Sequence, residues 1–237
     1  RDGRLAIADV DEAIRRLVAL VERTEGAREP VEIDVDAHHA LAEEAAAAGS
    51  VLLANDGTLP LSPDLAVAVL GDFAATPRFQ GAGSSVINAR RVVDALSSIR
   101  SRAVATTYAQ GYERYAERPD AALLDEARRL AAAADVAVVF VGLPETFETE
   151  GADRTHMRLP AAHDALVEVV AAANPRTVVV LSNGSPVEMP WLTRVAAVLE
   201  GYLGGQESGG AIAKVLYGEA EPGGRLAETF PASLEDV

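Results

Sequence analysis

The run Val136-Ala-Val-Val-Phe-Val-Gly142 constrains the fold more than any other stretch of this chain, because seven consecutive residues carry no polar side chain. A run this short cannot span a membrane and has no helical period. It fits a strand covered on both faces, the environment of a parallel sheet between helical layers. Strand-like segments recur at VLLA (51–54), AVAVLG (66–71), AVATTYA (103–109), TVVVLSN (177–183) and AAVLEGY (196–202). Helical patterns lie between several of them: NARRVVDALSSIR from Asn88, PDAALLDEARRLAAAA from Pro119, PAAHDALVEVVAAAN from Pro160 and QESGGAIAKVLYG from Gln206. Alternation of strand and helix implies right-handed crossovers. The expectation is an α/β fold with a doubly wound, mostly parallel six-stranded sheet and helices on both faces, an α/β sandwich over about residues 50 to 230.

Upstream, Ile7, Val10, Ile14, Leu17, Val18 and Val21 recur at helical spacing and predict an amphipathic helix over 7–24. The segment GAREPVEID reads as a connector, after which Asp36 can cap AHHALAEEAAAAGS until Gly49 closes it. His38 and His39 are adjacent in that helix and point in different directions, which argues against a two-His metal site. The chain opens without Met and in mid-pattern, as a processed product or a piece of a longer chain would.

Charge and residue usage narrow the partners. A net charge of −15 argues against nucleic acid and anionic membranes, both of which need clustered Lys and Arg. With no cysteine there is neither a disulfide framework nor a thiolate metal site. No nucleophile elbow, HExxH or phosphate loop is present, and GAGSS at 81–85 lacks the third glycine of a dinucleotide fingerprint. That stretch reads as a glycine turn before a helix capped by Asn88, or as a ligand contact. Trp191, the only tryptophan, reads as a packing residue.

The chemistry-bearing stretch follows the opening strand. After Gly142-Leu143-Pro144 come three carboxylates, Glu145, Glu148 and Glu150, then Gly151 and the pair Asp153-Arg154. Ligands of open α/β sheets bind beyond the carboxyl ends of the strands, where this loop sits. A glutamate shielded there by Phe147 and set among negative charges is expected to hold its proton more tightly, as a general acid does. Asp153-Arg154 can be a polar clamp on substrate or a structural ion pair. A merely solvated acidic loop is the plain alternative.

These residues resemble glycoside hydrolase family 3, the β-glucosidases and related exo-acting enzymes. The resemblance rests on five segments in the family's order: LLANDGTLPL (52–61), PRFQGAGSSVIN (77–88), GLPETFETEGADRTHMRLP (142–160), NPRTVVVLSNGSPVEMPW (174–191) and GGQESGGAIAKVLYGEAEPGGRLAETFP (204–231). It implies that residues 50–237 form the C-terminal α/β sandwich carrying the acid/base loop. It also implies that residues 1–49 are a helical linker like the exit of an N-terminal (β/α)8-type barrel, absent here together with its aspartate nucleophile.

By the same resemblance Glu150 is the catalytic acid/base, with Glu148 second, and Phe147, Asp153 and Arg154 are substrate-binding. No cofactor and no metal are implied. The partners implied are a carbohydrate substrate (a β-glucoside or oligosaccharide) and the missing barrel; a downstream fibronectin-III-like domain and a homodimer stay open. Ala54, His163 and Ser208 depart from the usual family residues, at framework positions. The expected function is the acid/base half of a retaining β-glycosidase, inactive alone; a non-catalytic carbohydrate-binding or interaction module on the same fold is the alternative.

Overall fold

The structure, a computed structural model, describes residues 5–28, 31–116 and 118–236. By its contacts the chain divides into two compact units that meet in sequence at Val35 and Asp36. In the first, helix α1 (Ile7–Thr24) forms where the apolar period predicts it, with Asp9 in its first turn and Arg23 in its last, each opposing the helix dipole. None of its residues is buried, and the stripe from Ile7 to Val21 is exposed. The connector begins as a 3-10 turn, Glu25–Arg28; its Glu29 and Pro30 lie outside the described residues.

Helix α2 spans Val35–Gly49, so Asp36 stands in its first turn rather than capping it. His39 is buried while His38 is exposed, the divergence expected of neighbours on a helix. Six strands follow: β1 (Val51–Asn55), β2 (Ala66–Leu70), β3 (Ala105–Ala109), β4 (Val136–Gly142), β5 (Thr177–Ser182) and β6 (Ala197–Glu200). They form one sheet in the order β1-β6-β5-β4-β2-β3. All neighbours run parallel except the edge pair β1 and β6, which is antiparallel with a bulge between Leu52 and Ala54. Strand order reverses between β2 and β4, which makes that crevice the topological switch point.

The period of two divides the apolar runs between two cores. Val136, Val138 and Phe140 of β4 join one hydrophobic cluster, whereas Ala137, Val139 and Val141 join the other, on the opposite face. Every residue of β4 and β5 is buried. The helices α3 (Asp72–Ala75), α4 (Ala95–Arg100), α5 (Ala121–Ala133), α6 (Ala161–Ala173) and α7 (Ser208–Leu216) complete the sandwich. Trp191 is fully buried within the second cluster, and its indole N–H donates to Asp164 at 2.9 Å.

One helix starts late. The pattern from Asn88 predicts a helix, yet α4 begins at Ala95, capped by the Asp94 carboxylate, which accepts from the Ser97 N–H at 2.7 Å. Residues 86–94 instead spend backbone groups elsewhere, Ile87 N–H on the nearby Gln80 side chain and Val93 N–H on the distant Gln206 carbonyl. Tertiary bonds outcompete a weak helical period there.

Gly71, at the switch point, has φ +109, and a Cβ on it would lie 2.1 Å from the Phe140 carbonyl oxygen. Gly71→Ala is therefore expected to cost on the order of 3 kcal/mol, from left-handed backbone strain plus the clash. Urea denaturation would read it, and a midpoint unchanged from that of the parent chain would contradict this packing.

Candidate active site

The loop after β4 is built as a hinge, a turn and a tip. Leu143 N–H still pairs with the Ser182 carbonyl at 3.1 Å, extending the sheet, and Phe147 N–H then closes a turn on the Pro144 carbonyl at 2.9 Å. Thr149 and Ala152 bridge back to back, with Glu150-Gly151 at the tip; Gly151 at φ +82 permits the reversal. Beneath it, Arg78 is only 2% exposed and donates to two loop carbonyls, Leu143 at 3.0 Å and Glu148 at 3.4 Å. Burial lowers the proton affinity of that guanidinium, while the charges of Glu145 and Glu148 raise it.

The loop walls a cleft of about 350 Å³ at the carboxyl ends of β2, β4, β5 and β6, and Phe147, Glu148, Glu150, Asp153 and Arg154 all line it. The five sequence-predicted residues are thus brought together, but their environments differ. Glu148 is half-buried, with one carboxylate oxygen accepting from the Gly184 N–H at 2.8 Å and the other from the Ser185 hydroxyl. Glu150 is exposed, and its Oε2 accepts from both the N–H and the hydroxyl of Ser84. Among the described residues no hydrogen bond reaches its Oε1.

The expected tight hold on a proton is not met at Glu150. The Ser84 hydroxyl and then the Ser84 N–H stabilise the carboxylate and lower its pKa, against only a weak opposing effect of burial. Phe147 does not shield it; that ring lies edge-on to His156, with centroids 6.5 Å apart, and also walls a neighbouring cleft that contains Asp164.

Glu145 leaves the cleft altogether. Its oxygens accept from Arg114 and from the Tyr115 hydroxyl, both at 3.2 Å, and Arg114, which follows β3, also pairs with Asp72, just after β2, at 2.8 Å. The structural ion pair open to Asp153-Arg154 is absent among the described residues. Arg154 instead donates to the Ser185 hydroxyl at 2.7 Å and the Pro186 carbonyl at 2.9 Å, holding the β5 loop against the β4 loop, while Asp153 is exposed.

Four contributors were not legible as site residues: Arg78, Ser84, Ser185 and Glu200. The GAGSS turn proves to be a 3-10 turn, Gly83–Ser85, that meets Glu150; a Cβ on Gly83 would lie 2.9 Å from the Glu150 Cβ. Glu200, at the end of β6, is wholly buried and accepts from Asn183 Nδ2 at 2.9 Å and the Tyr202 N–H at 2.8 Å. Asn183 Nδ2 also donates to the Ser185 carbonyl at 3.1 Å, so Glu200 underpins the turn that binds Glu148. Burial pushes the Glu200 carboxyl up to about 8, against the two hydrogen bonds, which lower it.

His163 lies on the framework. It is buried against Tyr112, its ring stacked at 3.8 Å, and Nδ1 accepts from the Gly142 N–H at 3.2 Å. Burial drives its pKa down to about 3, so the ring is neutral and fixes the end of β4. Among the described residues no group of His, Asp or Glu is arranged to hold a metal ion.

The model of the glycosyl hydrolase family 3 C-terminal domain matches residues 50–237. Thermostable beta-glucosidase B of Acetivibrio thermocellus is 45% identical over 239 residues, an alignment covering 99% of this chain and 32% of that protein. An exo-alpha-(1->6)-L-arabinopyranosidase of Bifidobacterium breve is 39% identical, with 100% of this chain and 33% of that protein covered. The crystal structure of a Bifidobacterium adolescentis GH3 beta-glucosidase superposes with a TM-score of 0.93 at 40% identity, covering 100% of this chain and 35% of that one. The chain thus spans about a third of the length of the relatives it matches. Its sheet order, its strand-end loop and this match over residues 50–237 agree: the chain belongs to glycosyl hydrolase family 3 and contains the family's C-terminal α/β domain.

Proposed function

We propose that the chain supplies the general acid/base of a retaining β-glycosidase whose nucleophile is carried by another domain. In this reading Glu150 protonates the leaving oxygen as an aspartate elsewhere attacks the anomeric carbon. It then takes a proton from the water that hydrolyses the glycosyl-enzyme. The observation that carries the reading is the placement of Glu150: exposed at the mouth of the strand-end cleft, anchored through Oε2 alone, with Oε1 left to meet a substrate. Glu148 has both oxygens committed to the β5 loop and serves as the staple that shapes the cleft.

With its proton affinity lowered Glu150 is held ionised here, the form in which a base starts and not the protonated form an acid needs. Covering by substrate and by the nucleophile-bearing domain, with a second carboxylate brought close, would raise that affinity. A beta-glucosidase and an arabinopyranosidase share this domain, so its identity leaves the glycone open; terminal β-glucosides are the substrates proposed, chosen on the relative of higher identity.

The 237-residue chain by itself is expected to fold and to hydrolyse no aryl β-glucoside. Robust turnover by the pure chain would sink the two-domain reading. Submillimolar binding of glucose or gluco-oligosaccharides in calorimetry would favour the binding module instead.

A further inference from the structure

We infer that Ser84 is a positioning residue for Glu150: the glycine turn after β2 grips the acid/base carboxylate from the side opposite the β5 loop. The inference rests on the acid/base reading of Glu150. The geometry is one-sided in an informative way. Both donors of Ser84, the backbone N–H at 3.1 Å and the hydroxyl, converge on the single oxygen Oε2, which fixes the carboxylate's rotation and leaves Oε1 as the atom that exchanges a proton. Gly83, at φ +74, brings the turn so near that a Cβ there would collide with the Glu150 side chain. The turn itself is braced, the Ser85 hydroxyl donating to the Ala82 carbonyl at 3.1 Å and Val86 N–H closing on Gly83 at 3.3 Å.

Among the described residues no charged group of the cleft hydrogen-bonds to Glu150. Arg78 donates to the carbonyls of Leu143 and Glu148, and Arg154 through one nitrogen to Ser185 and Pro186. Glu148 is bound by Gly184 and Ser185, and Asp153 points to solvent. The residues of the turn, Gly81 to Ser85, and those of the β5 loop at Gly184 and Ser185 are not titratable. Ser84 is thus the group that biases the proton on Glu150, in favour of the carboxylate. That bias keeps Glu150 ionised, the form the second half of the reaction needs, but weakens it as a base, so what Ser84 contributes to that half is its hold on the carboxylate's orientation. A proton passes from water to Glu150 as the water oxygen bonds to the anomeric carbon and the aspartate ester breaks.

The test has two arms. In the 237-residue chain, the Glu150 side-chain carboxyl is titrated by NMR. Ser84→Ala is expected to move its midpoint upward, and Ser84→Thr, which keeps the hydroxyl, to return it toward the parent value. Ser84 is exposed, so neither change threatens the core. An unmoved midpoint in Ser84→Ala would overturn the inference. In the complete enzyme, Ser84→Ala is expected to shift the alkaline limb of kcat/KM upward, because the acid keeps its proton to higher pH. It is also expected to lower kcat on activated aryl glycosides, where the base step limits, by about tenfold. An unshifted limb there would also overturn it. A complete enzyme indifferent to Glu150→Gln would defeat the acid/base reading itself, whereas the carboxyl titration judges the Ser84 contact on its own.

Discussion

Glu150→Gln in the complete enzyme is expected to lower kcat/KM by about 10²- to 10⁴-fold on glycosides with poor leaving groups, the usual worth of a general acid. On aryl glycosides whose leaving phenoxide needs no proton, kcat/KM should change by only a few-fold. The asymmetry follows from the reaction sequence. kcat/KM reports the steps up to departure of the leaving group, and an alkoxide cannot leave without the proton that Gln is unable to give. kcat on the activated substrates should nonetheless fall, because Gln cannot accept a proton from water in the second step. Glu148→Gln removes a staple and changes no proton donor, so its losses should be alike for both classes of leaving group. The measurement is a leaving-group series for each variant. Equal losses at Glu150, or a steep leaving-group dependence at Glu148, would exchange their roles.

A second large effect is expected in stability. Glu200 ionises near the ordinary 4.5 when unfolded but holds its proton to about 8 in the fold. Between those values the folded state binds more protons than the unfolded one, so stability falls as pH rises. The full excursion is worth roughly 5 kcal/mol at most. Asp164, raised to about 6 by burial, acts in the same direction at lower pH. His163 opposes them: lowered from 6.5 to about 3, it adds stability as pH climbs through that interval, an addition that fades within about one unit above it. The window from about pH 7 to 8 is therefore governed mainly by Glu200, with a decline of roughly 1 kcal/mol expected across it. Urea unfolding across that window should show the decline in the parent chain and a flat profile in Glu200→Gln, whatever that variant's absolute stability. The same decline in both would mean that Glu200 is ionised in the fold and that another group titrates.

The contiguous part of this molecule was legible in the sequence. The apolar runs of β4 and β5 and the helical periods of α1, α5, α6 and α7 carry their structure locally, and the loop from Phe147 to Arg154 carries its chemistry within eight residues. What escaped is what the topology assembles. Nothing in Val51–Asn55 says that β1 runs antiparallel on β6, because its partner lies well over a hundred residues away and strand direction leaves no mark in composition. The bond from Val93, just before α4, to Gln206 is equally non-local. Arg78, Ser84 and Ser185 come from the loops after β2 and β5 and meet Glu148 and Glu150 only because the sheet sets those strand ends side by side. Glu200 looked like one polar residue at the end of a strand, and only its burial, which outweighs its two donors, reveals a carboxyl that holds its proton to about 8. Proton affinity was the least legible property. Two hydrogen bonds from a serine 66 residues upstream lower the proton affinity of Glu150, with only burial opposing them.

Rescue by azide tests the assignment of the acid/base most directly. An anionic nucleophile needs no base, so azide should bypass the missing carboxylate in a Glu150→Ala complete enzyme at the glycosyl-enzyme stage. With an activated aryl β-glucoside, azide is expected to raise kcat by at least about tenfold and to yield the β-glycosyl azide, with the anomeric configuration retained. No rescue in Glu150→Ala, with rescue appearing in Glu148→Ala instead, would contradict it.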